Sequence, residues 1–231
     1  MTGLMRGNIV VLEGTDGSGK GTQFKRVLLR MQREGYPVAT FDFPQYGKPS
    51  AYFAERYLRG EYGADIAPRK GSLFYALDRY DIAPEIARAA SGGVNVIMNR
   101  YVGSNMAHQG GKIADAKERE EFFRWLYDLE YGILGIPKPD LNIILHVPAE
   151  VAQKLVSQKA AAERAYAGGA THDLHESNLE HLRAAERVYL EMSALFPREF
   201  MIVECMDGDR LMTPEEVEER VWQLMQPLLV K

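Results

Sequence analysis

The residues best equipped for chemistry stand near the start of the chain. Gly14-Thr15-Asp16-Gly17-Ser18-Gly19-Lys20-Gly21-Thr22-Gln23 contains the spacing G-x-x-x-x-G-K. A β-branched apolar run, Asn8–Leu12, leads into it. Phe24, Val27, Leu28 and Met31 follow at helical spacing. Strand, glycine loop and helix start, in that order, make an anion cradle. Backbone N–H groups at glycine converge on a phosphate without Cβ clashes, and the helix N-terminus adds a favourable dipole. Lys20 brings a mobile positive charge to the β- and γ-phosphates. Gly14, Thr15, Asp16, Gly17, Ser18, Gly19, Lys20, Gly21 and Thr22 are therefore the expected ATP-binding residues. The residue after the lysine ordinarily offers a hydroxyl to Mg²⁺. Here it is Gly21, so Thr22 is the one candidate ligand. Most of the metal shell is then expected from nucleotide oxygens and water. No Asn-Lys-x-Asp base-reading motif accompanies the loop, which argues against a GTPase.

Further positions carry chemistry of their own. Asp16 puts a carboxylate inside an anion-binding loop, either as an Asx turn or to meet a substrate. Tyr75 and Arg79 lie four residues apart on an expected helix and share a face. A ring and a guanidinium so placed can stack on a base and bind its edge, or serve as core aromatic and surface cation. Asn99-Arg100-Tyr101 ends the expected strand Val94–Met98, and ligands of open α/β sheets bind at that edge. Arg100 suits bidentate phosphate binding. No Ser–His–Asp set or metal-ligand cluster is evident.

Five strands are expected to position these groups: Asn8–Leu12, Val38–Phe43, Val94–Met98, Leu141–Val147 and Phe200–Glu204. Most are apolar along much of their length rather than strictly alternating, as in a parallel sheet covered on both faces. Helical patterns separate them. Gly35 reads as a C-cap. Asp115 and Glu118 read as a capping box before Phe122, Leu126 and Leu129. Thr213, Pro214 and Glu216 read as N-cap, N1 and N3 of a last helix bearing Val217, Val221, Leu224 and Leu228. The fold class is α/β, a three-layer P-loop NTPase fold. It has a five-stranded parallel sheet, helices on both faces and a lid segment. Residues 1–231 form one expected domain. The lid candidate is Lys159–Thr171, KAAAERAYAGGAT, whose plainer reading is a helix–helix connection. It separates a helix starting near Glu150 from one bearing Leu179, Leu182, Val188, Tyr189 and Met192.

Composition bounds the function. The chain has 231 residues, 28 Lys and Arg, and 32 Asp and Glu, for a net charge of −4. That disfavours nucleic acid as a partner. The charge is uneven. Residues 1–115 carry 15 basic and 11 acidic side chains, and 116–231 carry 13 and 21. An anionic ligand held by the first half fits this split. Cys205 is the only cysteine, so no internal disulfide forms. No run approaches the ~18 apolar residues of a membrane span. A cytoplasmic protein is expected.

Taken together, several motifs resemble the thymidylate kinase family. They are G-T-D-G-S-G-K-G-T-Q at 14–23, F-P at 43–44, F-Y-A-L-D-R at 74–79, N-R-Y-V-G-S-N at 99–105, Q-G-G at 109–111, K-P-D-L at 138–141 and D-L-H-E at 173–176. The form G-K-G-T-Q is similar to the loop of adenylate kinases. The resemblance implies transfer of the γ-phosphoryl of ATP to thymidine monophosphate (dTMP) with Mg²⁺, usually in a homodimer. It implies that Asp16 accepts from the deoxyribose 3′-OH and that Phe43 lines the substrate site. Tyr75 would stack on thymine, or Phe74 if the offset slips by one, and Arg79 would bind a base carbonyl. Arg100 would hold the monophosphate, Asn105 would meet the pyrimidine edge, and His108 would sit near the sugar 2′ position. Lys20, Arg100 and the lid cation Arg164 are the implied catalytic residues, with Lys159 the other lid cation. The adenine pocket falls near Cys205–Arg210.

Three departures stand out. Asn99 replaces the usual Asp, Tyr46 replaces an Arg whose charge Lys48 or Arg69 would supply, and Leu174 replaces a post-lid Arg. A kinase of another nucleoside monophosphate or of a deoxynucleoside, or an inactive nucleotide-binding module, are the alternatives.

Overall fold

A computed structural model describes residues 6–63, 65–167 and 179–231, with side chains except at 159–167. Five parallel strands form the central sheet: β1 (Ile9–Glu13), β2 (Val38–Asp42), β3 (Asn95–Asn99), β4 (Leu141–His146) and β5 (Phe200–Glu204). Their order is β2-β3-β1-β4-β5. β1 is therefore central, paired with β3 through Ile9↔Val96 and with β4 through Val10↔Leu141. The expected strands are all present, with ends shifted by at most one residue.

Strand alternation divides the core in two. Ile9 and Val11 face one side, with Val96, Met98 and Ile144. Packed there are α3 (Pro68–Ser91), α4 (Val102–Gly110), α5 (Ala116–Tyr127) and α7 (Leu179–Leu195). Val10 and Leu12 face the other side, with Ile97, Ile143 and Leu145, against α1 (Lys20–Arg33) and α8 (Pro214–Met225). By the same alternation Glu13 points toward α4 and α7. Full burial of each such aliphatic side chain contributes about 1.5–3 kcal/mol.

The local signals resolve as follows. Gly35 takes φ 78° just beyond α1. Asp115 accepts from the Glu118 N–H at 2.8 Å, and Thr213 with Glu216 forms a full capping box. Leu129 lies not in α5 but in a π-helical turn, Asp128–Ile133. Further elements are α2 (Tyr52–Leu58), a short hairpin of β6 (Met206–Asp207) with β7 (Arg210–Leu211), and 3-10 turns at Pro49–Ala51 and Gln226–Leu228.

The expected lid needs correction at its start. α6 runs Ala149–Ala167, so residues 159–167 continue a helix rather than opening a loop. Ala-rich KAAAERAYA has high helix propensity, and only the glycines beyond it interrupt the pattern. Residues 168–171 and the side chains of Lys159 and Arg164 lie outside the described residues.

Candidate active site

β1 delivers the chain into the glycine loop at the C-terminal edge of the sheet. Gly19 caps α1 at φ 87°. Gly17 has φ 85°, and a Cβ there would stand 2.3 Å from the Ala152 carbonyl on α6, so no other residue fits. Lys20 folds back over the loop and donates to the carbonyls of Gly14 at 2.9 Å and Thr15 at 2.7 Å. The hydroxyls of Thr15 and Ser18 are buried with no hydrogen-bond partner among the described residues. A loop with positive potential and two unsatisfied hydroxyls is suited to an anion. Gly21 and Thr22 are exposed on the first turn of α1. Burial and the nearby Arg100 push the Lys20 amine down to about 7, although Asp16, Glu13 and Asp42 oppose the shift.

The adjoining corner between β3 and α4 is organised by Glu13, which sequence reasoning missed. Its fully buried carboxylate accepts from the N–H groups of Tyr101 and Ser104 at 2.8 and 3.0 Å. The Ser104 hydroxyl at 2.6 Å and the Tyr189 hydroxyl at 3.0 Å complete four contacts. Arg100, just before that corner, holds φ 65°, a left-handed conformation rare outside glycine. This backbone sets the direction in which the side chain leaves the corner, and contacts hold its guanidinium. One amine pairs with Asp16. The other reaches the Ser104 hydroxyl at 3.4 Å and the His108 Nε2 at 3.3 Å. Burial raises the Asp16 carboxyl, but Arg100 and Lys20 outweigh it and hold the group well below the usual carboxylate range.

One cavity opens beside this corner, with about 690 Å³ of empty space counting its mouth. Asp16, Phe43, Tyr75, Arg79, Arg100, Asn105 and His108 all line it. It also takes in His181, Tyr101, Ser104 and Tyr46, which were not singled out as contacts. Phe74 does not line it. Its ring packs instead near Tyr62, Tyr57 and Phe53, at centroid distances of 5.2 to 6.0 Å. Neither Lys48 nor Arg69 lines it. Lys48 donates to Gln45 at 2.9 Å, and Arg69 lies over the Trp125 ring.

Arg79 and Asn105 share a partner the sequence did not reveal. The π-helical turn carries Glu130 into the core, where its oxygens take the Arg79 Nε and Nη2 at 2.6 and 2.5 Å. Nη1 lies 3.4 Å from the Tyr101 carbonyl and makes no bond to Glu130. Asn105 donates to Ser72 O at 3.1 Å and to Glu130 at 3.3 Å. Its own Oδ1 is buried with no hydrogen-bond partner among the described residues. The Arg79 fork is thus committed largely to Glu130, and Asn105 presents an unused acceptor.

At the sheet edge Asn99 stands in register with Asp42 on β2 and donates to it at 2.9 Å. Asn99 Oδ1 is buried and unpartnered. The carboxylate missing from β3 is matched by one on the neighbouring strand. Desolvation raises the Asp42 carboxyl, against the Asn99 hydrogen bond and the charges of Arg100 and Lys20.

A parallel α/β sheet whose first strand enters a phosphate loop, with an arginine-bearing cavity beside it, defines the class of P-loop kinases. The thymidylate kinase family model matches residues 12–208. A thymidylate kinase of Mycobacterium tuberculosis (strain H37Rv) is 31% identical over 189 residues, covering 80% of this chain and 86% of that protein. One from Bradyrhizobium sp. (strain BTAi1) is 28% identical over 227 residues, covering 97% and 92%. Among solved structures, a Candida albicans thymidylate kinase shares the fold at a TM-score of 0.73 and 20% identity, covering 98% of this chain and 96% of that one. The chain belongs to the thymidylate kinase family.

The depressed Lys20 amine makes a calorimetric prediction. A polyphosphate in the loop favours the ammonium and raises its pKa, so ATP binding above neutral pH draws a proton onto the protein. Titration of ATP at about pH 8, in buffers of low and high ionisation enthalpy, is expected to show uptake approaching one proton. Lys20→Met abolishes it. Binding enthalpies independent of the buffer in the wild type would contradict the assignment.

Proposed function

We infer that this chain phosphorylates dTMP to thymidine diphosphate at the expense of ATP, with the cavity as the dTMP site and the glycine loop as the ATP site. One observation carries this assignment. A single cavity joins an anion clamp, Arg100 with Asp16, to a buried unsatisfied acceptor, Asn105 Oδ1, beside aromatic walls. A pyrimidine that donates a ring N–H satisfies that acceptor, and Arg79 Nη1 is the cation left to meet a base carbonyl. Tyr75 and Phe43 supply the stacking surface. Asp16 accepts from the 3′-OH once Arg100 turns to the 5′-phosphate. His108 occupies the sugar end and excludes a 2′-OH.

Chemistry then needs little beyond placement. The acceptor phosphate oxygen is ionised at neutral pH, so no strong base is required. The obstacle is repulsion between two anions. Lys20, Arg100 and Arg164 offset it by charge, and the cavity walls align the reacting groups. Arg164 remains the lid cation of this proposal, with its segment, about 159–171, closing over the phosphates. The hairpin of β6 and β7 adjoins the proposed adenine pocket.

Mg²⁺ fits the donors at hand. Asp42 and the unpartnered Asn99 Oδ1 offer hard oxygens at the sheet edge, and Thr22 offers an exposed hydroxyl. These residues would hold it together with nucleotide oxygens, where it would neutralise phosphate charge.

We assign residues 1–231 to one catalytic domain acting in the cytoplasm as a homodimer. Among the described residues no helix is long and apolar enough to cross a membrane. Leu73, Leu77 and Tyr80 recur along α3 and are 40%, 48% and 52% exposed, with Phe53 beside them at 47%. Such a stripe suits a second copy of the chain.

An ADP-release assay across a panel of nucleosides and nucleoside monophosphates tests the substrate. dTMP is expected to exceed adenosine and guanosine monophosphates in kcat/KM by roughly 10³-fold, because a pocket built around one polar edge rejects others strongly. Comparable values for the purines would overturn the reading, as would full activity in a folded Lys20→Ala variant. In sedimentation, the wild type should run at twice the monomer mass and Leu77→Asp at the monomer mass. A monomeric wild type would contradict the homodimer.

A further inference from the structure

His181, on the first turn of α7, stands against His108 of α4. The rings stack at 5.2 Å between centroids and 24° between planes. His108 Nδ1 and His181 Nε2 are 3.0 Å apart. On its far side, His108 Nε2 faces an Arg100 amine at 3.3 Å. A guanidinium only donates, so His108 Nε2 must accept. Burial, Arg100 and His181 hold His108 well below the usual histidine range, so the ring is neutral. A neutral ring that accepts at Nε2 carries its proton on Nδ1. That proton is given to His181 Nε2. The direction of every bond in the chain is therefore determined: Arg100 to His108 to His181. The charged and titratable groups around it are Asp16 and Lys20 from the loop side, and Tyr189 on α7, whose ring meets His108 edge-on at 6.3 Å.

We propose that His181 is a positioning residue for the substrate phosphate: by accepting from His108 Nδ1 it fixes the tautomer whose Nε2 holds the Arg100 guanidinium. The proposal rests on the reading that Arg100 binds the dTMP phosphate. Asp16 holds one amine of Arg100 and His108 the other, so the fork is oriented from both sides before substrate arrives. Without an acceptor at position 181, only the Arg100 contact favours the proton on Nδ1, and His108 Nδ1–H loses its partner. The alternative tautomer turns an N–H toward the guanidinium and disorders the clamp.

The test combines spectroscopy with kinetics. In the wild type, ¹⁵N imidazole shifts at neutral pH are expected to show His108 protonated on Nδ1. His181→Phe keeps the ring but removes the acceptor, whereas His181→Gln restores an acceptor oxygen. The Phe variant should raise the KM for dTMP roughly tenfold, the effect of one lost orienting hydrogen bond, while kcat and the KM for ATP stay within about twofold. The Gln variant should recover most of the loss. A wild-type His108 protonated on Nε2 would overturn the proposal, and that result needs no variant to fold. Equal KM values in the Phe and Gln variants would overturn it too. Arg100→Ala separates the underlying reading. An unchanged KM for dTMP there would remove the phosphate assignment, and the His181 effect on KM with it, whatever tautomer His108 shows.

Discussion

A buried carboxylate organises this active site. Glu13 ends the central strand and is wholly enclosed. Burying an isolated carboxylate is costly, and only dense hydrogen bonding makes it tolerable. Here four donors converge on two oxygens: two N–H groups of the β3–α4 corner and the hydroxyls of Ser104 and Tyr189. The corner has no other acceptor for those N–H groups, because the first turn of a helix lacks intrahelical partners. The negative charge also lies at the positive end of the α4 dipole. Gly103 makes room. A Cβ there would come within 2.9 Å of Glu13 Oε1 and of the Phe200 ring.

The consequence reaches the cavity through Arg100. Its left-handed backbone is sustained because the residues on either side are held, by the β3 pairing before it and by Glu13 after it. The guanidinium then sits where Asp16, Ser104 and His108 can each take a share. Lys20 and Arg100 repel one another in this enclosed space, which is one reason the lysine amine is depressed. The site is thus a set of charges compensated mostly by one another. On the proposed reading, anionic phosphates would replace those internal partners, and binding energy would go into separating charges already in place.

Much of this was legible from the chain. The loop, its strand and its helix are local features with a fixed spacing, and the apolar strands announced a sheet buried on both faces. Each of the seven residues singled out as substrate contacts reaches the one cavity. What escaped notice are partners joined only by folding. Glu13 and Ser104 are 91 residues apart, Arg79 and Glu130 are 51, His108 and His181 are 73, and Asp42 and Asn99 are 57. No periodicity links such pairs. Glu130 was hidden further because a π-helical turn breaks the helical register that would have placed it. Glu13 did leave a sign, a lone carboxylate closing an otherwise apolar central strand. The opening of the proposed lid misled for the opposite reason. Its alanines lack core-forming side chains but favour a helix, and the helix prevailed through Ala167.

The measurement that reaches this account most directly is native-state amide hydrogen exchange of the ligand-free protein. The N–H groups of Tyr101 and Ser104 have Glu13 as their acceptor, so their protection reports on that carboxylate alone. The account predicts that both exchange as slowly as the amides of Val11 and Ile97 in the sheet, opening only when the whole fold opens. Exchange at the rate of an exposed turn, with the sheet still protected, would show that Glu13 does not hold the corner and that Arg100 is placed by something else.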